Sequence, residues 1–168
     1  LATAAANANV DVRMLGETAS YAAGTAASAG WSIEQLALAT GLFGNVGIQG
    51  SMAGTALNHI LNQLQNSSSK AADLFAQLGI EIRDSSGAVR DFDELLIDLM
   101  DSEVTSTQLI EAFGQEHGPK LVSVLQQGEG AVRKLAEAMD NTSGEADRMA
   151  SIRMDSFVGA LDQAKSAA

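Results

Sequence analysis

Residues 47–58 read GIQGSMAGTALN, and this glycine-rich stretch decides how we expect the chain to fold. If the stretch is helical, one of its faces carries residues at positions i, i+3, i+4 and i+7: Gly50, Ala53, Gly54 and Leu57. A glycine inside a helix costs about 1 kcal/mol relative to alanine, so Gly54 indicates a place where a second helix approaches closely. We therefore predict that these residues form a packing or partner face.

The neighbour of this face is one of two kinds. The stretch Val10–Ala29 carries alanines at helical spacing and is followed by Gly30, a residue type favoured just past a helix end. This helix of the same chain is the first candidate for the contact. The second candidate is another copy of the chain or a different protein.

Residues 31–36 carry the strongest local signal for a helix start. Ser32 is expected to cap the helix, and Gln35 completes a capping box. Trp31 and Leu36 occupy the two positions of a hydrophobic staple, so we expect them to pack on each other.

Ser51 is expected to cap the helix that carries the glycine face. A shorter helix comes next in the sequence and is expected to end at Gly79. The sequence period then changes. Apolar and polar residues alternate over Ile80–Arg83, turn-forming residues follow, and Ala88–Arg90 forms a second short arm. This pattern predicts one small β-hairpin near residues 80–90. Further helices are expected to begin at or near Asp91, Thr105, Pro119 and Thr142.

The expected fold class is therefore mainly α, a multi-helix segment with one small β-hairpin near residues 80–90. The hairpin divides the chain into a Gly/Ala-rich helical half, 1–79, and a second half, 80–168, in which helices follow the hairpin. Leu1–Asn9 and Ala160–Ala168 both read like the interior of a helix. We therefore interpret the sequence as one fragment of a longer chain.

Composition excludes several classes of function. The chain of 168 residues has a net charge of −11, which repels phosphates, so nucleic-acid binding is not expected. It contains no cysteine, so disulfides, zinc–thiolate sites and thiol catalysis are ruled out. Its apolar runs are far shorter than the ~18 residues of a membrane span. Alanine accounts for 29 residues and aromatic side chains for only seven, which favours closely packed helices.

No residue is predicted to be catalytic or to bind a cofactor or a metal. The glycines from Gly41 to Gly54 do not form a phosphate-binding loop, because no lysine lies between Leu1 and Ser69. His59, between Asn58 and Ile60 on an amphipathic helix, is interpreted as a boundary residue and not a ligand, and His117 as part of a polar turn. The acidic residues between 91 and 103 lack the ligand alternation and glycine of a calcium loop and are interpreted as a solvated helix face.

The stretch Gly47–Asn58 resembles the signature of phage tail tape measure proteins, in their TP901-type core region. The order of the surrounding features resembles the same family over nearly the whole chain. The segments that carry this order are Val10–Glu17, Ala26–Ala37, Leu78–Gly87, Ala112–Gly114 and Ser156–Gln163.

The resemblance implies a structural virion protein of a long-tailed phage or prophage. It implies that the protein sets tail length, scaffolds assembly of the tail tube and is released at DNA ejection. The implied location is the lumen of the tail tube, and the host cytoplasm during assembly. The implied partners are tail tube, tail tip or assembly chaperone proteins and other copies of the chain.

Two alternatives to a non-enzymatic tape measure segment stay open. One is a tail-associated peptidoglycan-lytic domain, which requires paired acids in a cleft lined by aromatic side chains. The chain has one Trp and one Tyr, so such a cleft is hard to line. The other is an unrelated helical scaffold domain. In all three cases the glycines and caps indicate a compact or segmented unit, not one straight helix of about 250 Å.

Overall fold

A computed structural model describes residues 11–141 of the chain, and most of these residues are helical. The mainly α class predicted from the sequence is confirmed. The helix expected from Thr142 onward and the terminal segments Leu1–Asn9 and Ala160–Ala168 lie outside the described residues. The helices are α1 (Val12–Ala29), α2 (Ile33–Asn45), α3 (Gly50–Gln65), α4 (Lys70–Leu78), α5 (Phe92–Asp101), α6 (Ser106–Leu125) and α7 (129–141).

Short polar caps and left-handed glycines separate the helices. The Asp11 carboxylate accepts a hydrogen bond from the backbone N–H of Met14 at 2.7 Å, which starts α1. Gly30 ends α1 with φ at 88°, a backbone conformation that favours glycine. A Cβ atom at this position would lie 2.6 Å from the Cβ of Ala88, so the turn after α1 also needs the space.

Helix α2 forms the centre of the fold. All nine residues from Leu36 to Gly44 are buried, so every face of the helix contacts protein. A helix that is apolar all round is typical of such a central position. Helices α1, α3, α5 and α6 all contact it.

Contacts between distant residues join the two halves that the sequence predicts. The backbone N–H of Val89 donates to the carbonyl of Ala29 at 2.8 Å. The Gln127 side-chain amide donates to the carbonyl of Leu42 at 2.8 Å. Buried apolar residues from both halves form one cluster, so the described helices share a single core.

The predicted β-hairpin is wrong, because the described residues contain no β-strand. Between residues 80 and 90 the structure has one isolated antiparallel bridge, Arg83 to Val89. The arms keep two backbone hydrogen bonds to each other, from Asp84 to the Ala88 carbonyl and from Arg90 to the Ile82 carbonyl, both at 2.9 Å. The pairing extends no farther because Val89 donates to the end of α1 and Ile80 donates to the carbonyl of Phe75 in α4. In the turn, the Asp84 carboxylate accepts from backbone N–H groups.

Two helix starts also differ from the prediction. Helix α3 begins at Gly50, so its N-cap is Gln49 rather than Ser51. The N-cap thus lies two residues before the predicted one, and Gly50 has φ at 56°, a value that an L side chain rarely adopts. The two helices expected around Pro119 are both present as the two parts of α6, but the second follows directly on Gly114, which leaves helical geometry with φ at 84°, and so starts before Pro119.

Candidate functional site

The contact between α1 and α3 is the closest structural counterpart of the predicted glycine face, and we call it the α1–α3 seam. A Cβ atom on Gly54 would lie 2.8 Å from the Thr18 carbonyl oxygen and 2.8 Å from the Cβ of Tyr21. Real Cβ atoms essentially never make contacts this short. Only glycine fits there without movement of a backbone, so Gly54 sets how closely the two helices approach.

Side-chain hydrogen bonds run along the seam in the same order on both helices. The buried Thr18 hydroxyl donates to the carbonyl of Gly50 at 3.0 Å. Farther along, the Asn58 amide donates to the Tyr21 carbonyl at 2.6 Å. The Gln65 amide then donates to the carbonyl of Thr25 at 3.4 Å. Because residue numbers rise together on both sides, α1 and α3 run parallel, and α2 connects them.

The structure places the predicted face residues together on the inner side of α3. Gly50 and Gly54 are buried, and both are close to α1. Ala53 and Leu57 are fully buried, each with 0% of its surface exposed. Within this chain, therefore, the two glycines of the face lie against α1, the helix of the same chain named above as the first candidate.

The predicted cap and staple residues lie where α2 begins. The Ser32 hydroxyl accepts from the backbone N–H of Gln35 at 3.2 Å. The Gln35 side-chain oxygen accepts from the backbone N–H of Phe92 at 3.3 Å, so it links α2 to α5. Trp31 and Leu36 are both buried. The Trp31 ring lies 5.6 Å from that of Phe92.

The structure also brings together two histidines that sequence reasoning treated separately. The rings of His59 on α3 and His117 on α6 are stacked, with centroids 4.4 Å apart and planes 28° apart. The prediction that His117 lies in a polar turn is wrong, because the residue is buried inside α6. Burial, and then the neighbouring His59, lower the pKa of His117 below its usual range. No signal in the sequence indicates this pair, since 58 positions separate its members.

Two carboxylates at the start of α5 have perturbed pKa values. Burial raises the pKa of Asp93, and the charge of Glu94 adds to this effect. Burial also raises the pKa of Asp91, with Asp93 as the next cause. Neither acid lines the pocket between α4 and α6 or the pocket beside Arg90. The two acids therefore lie outside both clefts.

The described residues offer few other chemical features. Among residues 11–141, no three His, Cys, Asp or Glu side chains are placed to hold a metal ion. None of the helices in this part of the chain has the length and hydropathy that a transmembrane span requires. The outer side of α1 carries Gly16 and Gly24, and a Cβ on either would meet no other atom within 4 Å.

The comparisons with known proteins match this chain to proteins of phage tails. A model of the family described as phage-related minor tail protein matches residues 1–118, which include the whole α1–α3 seam. The "Tape measure protein" of Pneumococcus phage Dp-1 is 27% identical, over 96% of this chain and 15% of that protein. The "Probable tape measure protein" of Escherichia phage P2 is 30% identical, over 86% of this chain and 19% of that protein. No solved structure matches the chain.

The chain thus spans less than a fifth of the length of either relative. The resemblance to tape measure proteins that residues 47–58 indicate is confirmed by these matches. Since the family model covers 118 of the 168 residues, the chain belongs to the family of phage-related minor tail proteins.

Proposed function

We propose that this chain is a compact, non-enzymatic segment of a tape measure protein. The whole protein sets tail length, scaffolds assembly of the tail tube, in whose lumen it lies, and is released at DNA ejection. The observation that carries the proposal is the family match over residues 1–118, together with relatives named as tape measure proteins. We further propose that the segment folds in the host cytoplasm during assembly.

The packing of the helices supports a compact body and not a stretch of ruler. One straight helix of the whole chain would be about 250 Å long at 1.5 Å per residue. Helix α1 has 18 residues and thus a length of about 27 Å. Helix α3 then lies parallel to α1, which is possible only because α2 brings the chain back. The segment therefore adds far less length than a continuous helix would.

This architecture favours a role in contacts with other tail components. We propose tail tube, tail tip or assembly chaperone proteins, and other copies of the chain, as partners. The glycine face lies inside the α1–α3 seam, so contacts with partners use outward surfaces of the fold. The two halves, 1–79 and 80–168, act as one unit in this proposal, because α2 contacts helices from both.

An in-frame deletion in the full-length tape measure gene of the phage tests the proposal. Removal of the codons for these residues, followed by electron microscopy of tails, is expected to reduce the number of complete tails. Any tails that form are expected to be shortened by much less than about 250 Å. Normal numbers of tails with unchanged length would contradict a role in assembly. Shortening by the full 250 Å would show that the segment is part of the ruler.

A peptidoglycan zymogram tests the non-enzymatic part of the proposal. The purified chain is expected to produce no clearing, as Asp91 and Asp93 line neither the pocket between α4 and α6 nor the pocket beside Arg90. An Asp93→Asn variant is the matched control. Clearing by the original chain that is lost in this variant would establish the lytic alternative.

A further inference from the structure

The stacked histidines hold together two elements that are distant in sequence. His59 lies on α3, whose other side forms the seam with α1, and His117 lies on α6. Their rings are stacked with centroids 4.4 Å apart. The contact between α3 and α6 therefore includes two imidazole side chains.

The kink in α6 fixes the position of His117. The chain leaves helical geometry at Gly114, and the second part of α6 folds back onto the first. A Cβ on Gly118 would lie 2.5 Å from the Cα of Ile110, so the two parts are in backbone contact. His117 precedes this contact directly, so the contact determines where its backbone lies relative to α3.

The surroundings of His117 suit a neutral ring. Its Nδ1 atom is buried and has no hydrogen-bond partner among the described residues. His59 is the only ionisable side chain of α3. On α6, Lys120 disfavours a charge on the ring and Glu116 favours it, and these two are paired at 3.7 Å. A proton on the His117 ring is thus disfavoured by His59 and Lys120, and of the charges that act on it only the exposed Glu116 carboxylate favours it.

The other helices that contact α6 add few charges nearby. Helix α2 has a single ionisable side chain, Glu34, in its first turn. The Lys70 and Asp73 side chains of α4 line a surface pocket together with Glu111 of α6. The ionisable side chains of α5 are acidic, and none of them is among the charges that act on His117. These are Asp93, Glu94, Asp98 and Asp101.

We propose that the His59–His117 stack is a pH-sensitive contact that is closed at neutral pH and loosens the second part of α6 from α3 in mild acid. The proposal does not depend on the role of the chain in the tail. It follows from two observations. The two imidazoles are stacked across a helix contact, and a proton taken up at the buried Nδ1 of His117 has no hydrogen-bond acceptor among the described residues.

The direction of the effect follows from linkage. The pKa of His117 is lowered in the folded chain, so the unfolded chain binds more protons between that pKa and the usual value of 6.5. Stability is therefore fully present above the usual value and falls as the pH drops through this window. Each unit of the pKa difference corresponds to about a tenfold change in the ratio of folded to unfolded chain.

Thermal unfolding of the 168-residue chain and of two variants tests the proposal. His117→Phe keeps a flat ring against His59 but cannot take up a proton, and His117→Gln removes the ring. Between pH 7.5 and 5.0, in the presence of EDTA, the Tm of the original chain is expected to fall relative to that of His117→Phe. For a chain of this size, a tenfold change in the ratio of folded to unfolded chain corresponds to about 3–5 °C in Tm. Each comparison is made at a single pH, so the carboxylates that both proteins share cancel.

A nuclear magnetic resonance titration of the original chain gives a second measurement that needs no variant. The ring proton of His117 is expected to titrate below the usual value of 6.5. Amides of residues 115–125 are expected to exchange faster in mild acid while those of α1 do not. Equal Tm changes in all three proteins, or a His117 that titrates at its usual value, would overturn the proposal. Stabilisation of the original chain by zinc or nickel ions that is lost in both variants would also overturn it, because the pair would then be a metal site.

Discussion

Two identical substitutions at different glycines test whether the α1–α3 seam has the geometry described. Gly54→Ala adds a methyl carbon 2.8 Å from the Thr18 carbonyl oxygen, well inside the 3.4 Å at which ordinary contact begins. Neither this oxygen nor the Cβ of Tyr21 is the end of a flexible side chain, so α1 and α3 must separate. Overpacking of this kind costs about 1–3 kcal/mol.

Gly24→Ala is the matched control, because Gly24 also lies inside a helix but a Cβ there would meet no atom within 4 Å. Both substitutions gain about 1 kcal/mol from the higher helix propensity of alanine. This gain cancels in the comparison, so the difference between the two variants isolates the steric effect. Gly24→Ala is expected to raise stability, and Gly54→Ala to lower it by up to about 2 kcal/mol.

Circular dichroism at 222 nm during heating measures the difference, which should be roughly 2–12 °C in Tm. Sedimentation of the same samples reports the oligomeric state. An equal rise in Tm for both variants would refute the close approach at Gly54. An unchanged Tm with loss of an oligomer only in Gly54→Ala would place the glycine face between copies of the chain.

Three further substitutions test other parts of the fold by the same thermal measurement. Ser32→Ala removes the cap of α2 and is expected to cost about 0.5–2 kcal/mol; no loss would mean that the cap is dispensable. Trp31→Phe keeps an aromatic ring but removes the indole N–H that donates to the Arg90 carbonyl at 3.1 Å, with an expected loss of about 1–3 kcal/mol. Gly118→Ala places a methyl group 2.5 Å from the Ile110 Cα and is expected to exceed the loss in Gly54→Ala; a smaller loss would contradict the sharp kink in α6.

Features set by a few neighbouring residues could be predicted from the sequence. Thr105 and Gln108 form the capping box expected at the start of α6, with both hydrogen bonds present. Gly30 and Gly79 end their helices in the left-handed conformation expected of them. The close approach expected at Gly54 also follows from one local fact, a glycine inside an amphipathic helix.

Features set by distant residues could not be predicted. The alternation at Ile80–Arg83 predicts strands, but Val89 finds its hydrogen-bond acceptor at the end of α1. The stack of His59 on His117 depends on the kink at Gly114 and on the path of α6, neither of which periodicity reveals. Periodicity identifies which face of a helix is buried, but not which element covers it.

The burial of α2 on every side has a consequence for the order of events on the ribosome. Leu36–Gly44 emerges early in synthesis, yet Gln127, which donates to Leu42, emerges 85 residues later. Until α5 and α6 have been translated, part of the apolar surface of α2 has no cover, and nascent chains in this condition are prone to aggregate. A chain whose synthesis stops within α5 therefore has complete first helices, but part of the apolar surface of its central helix α2 is exposed to water.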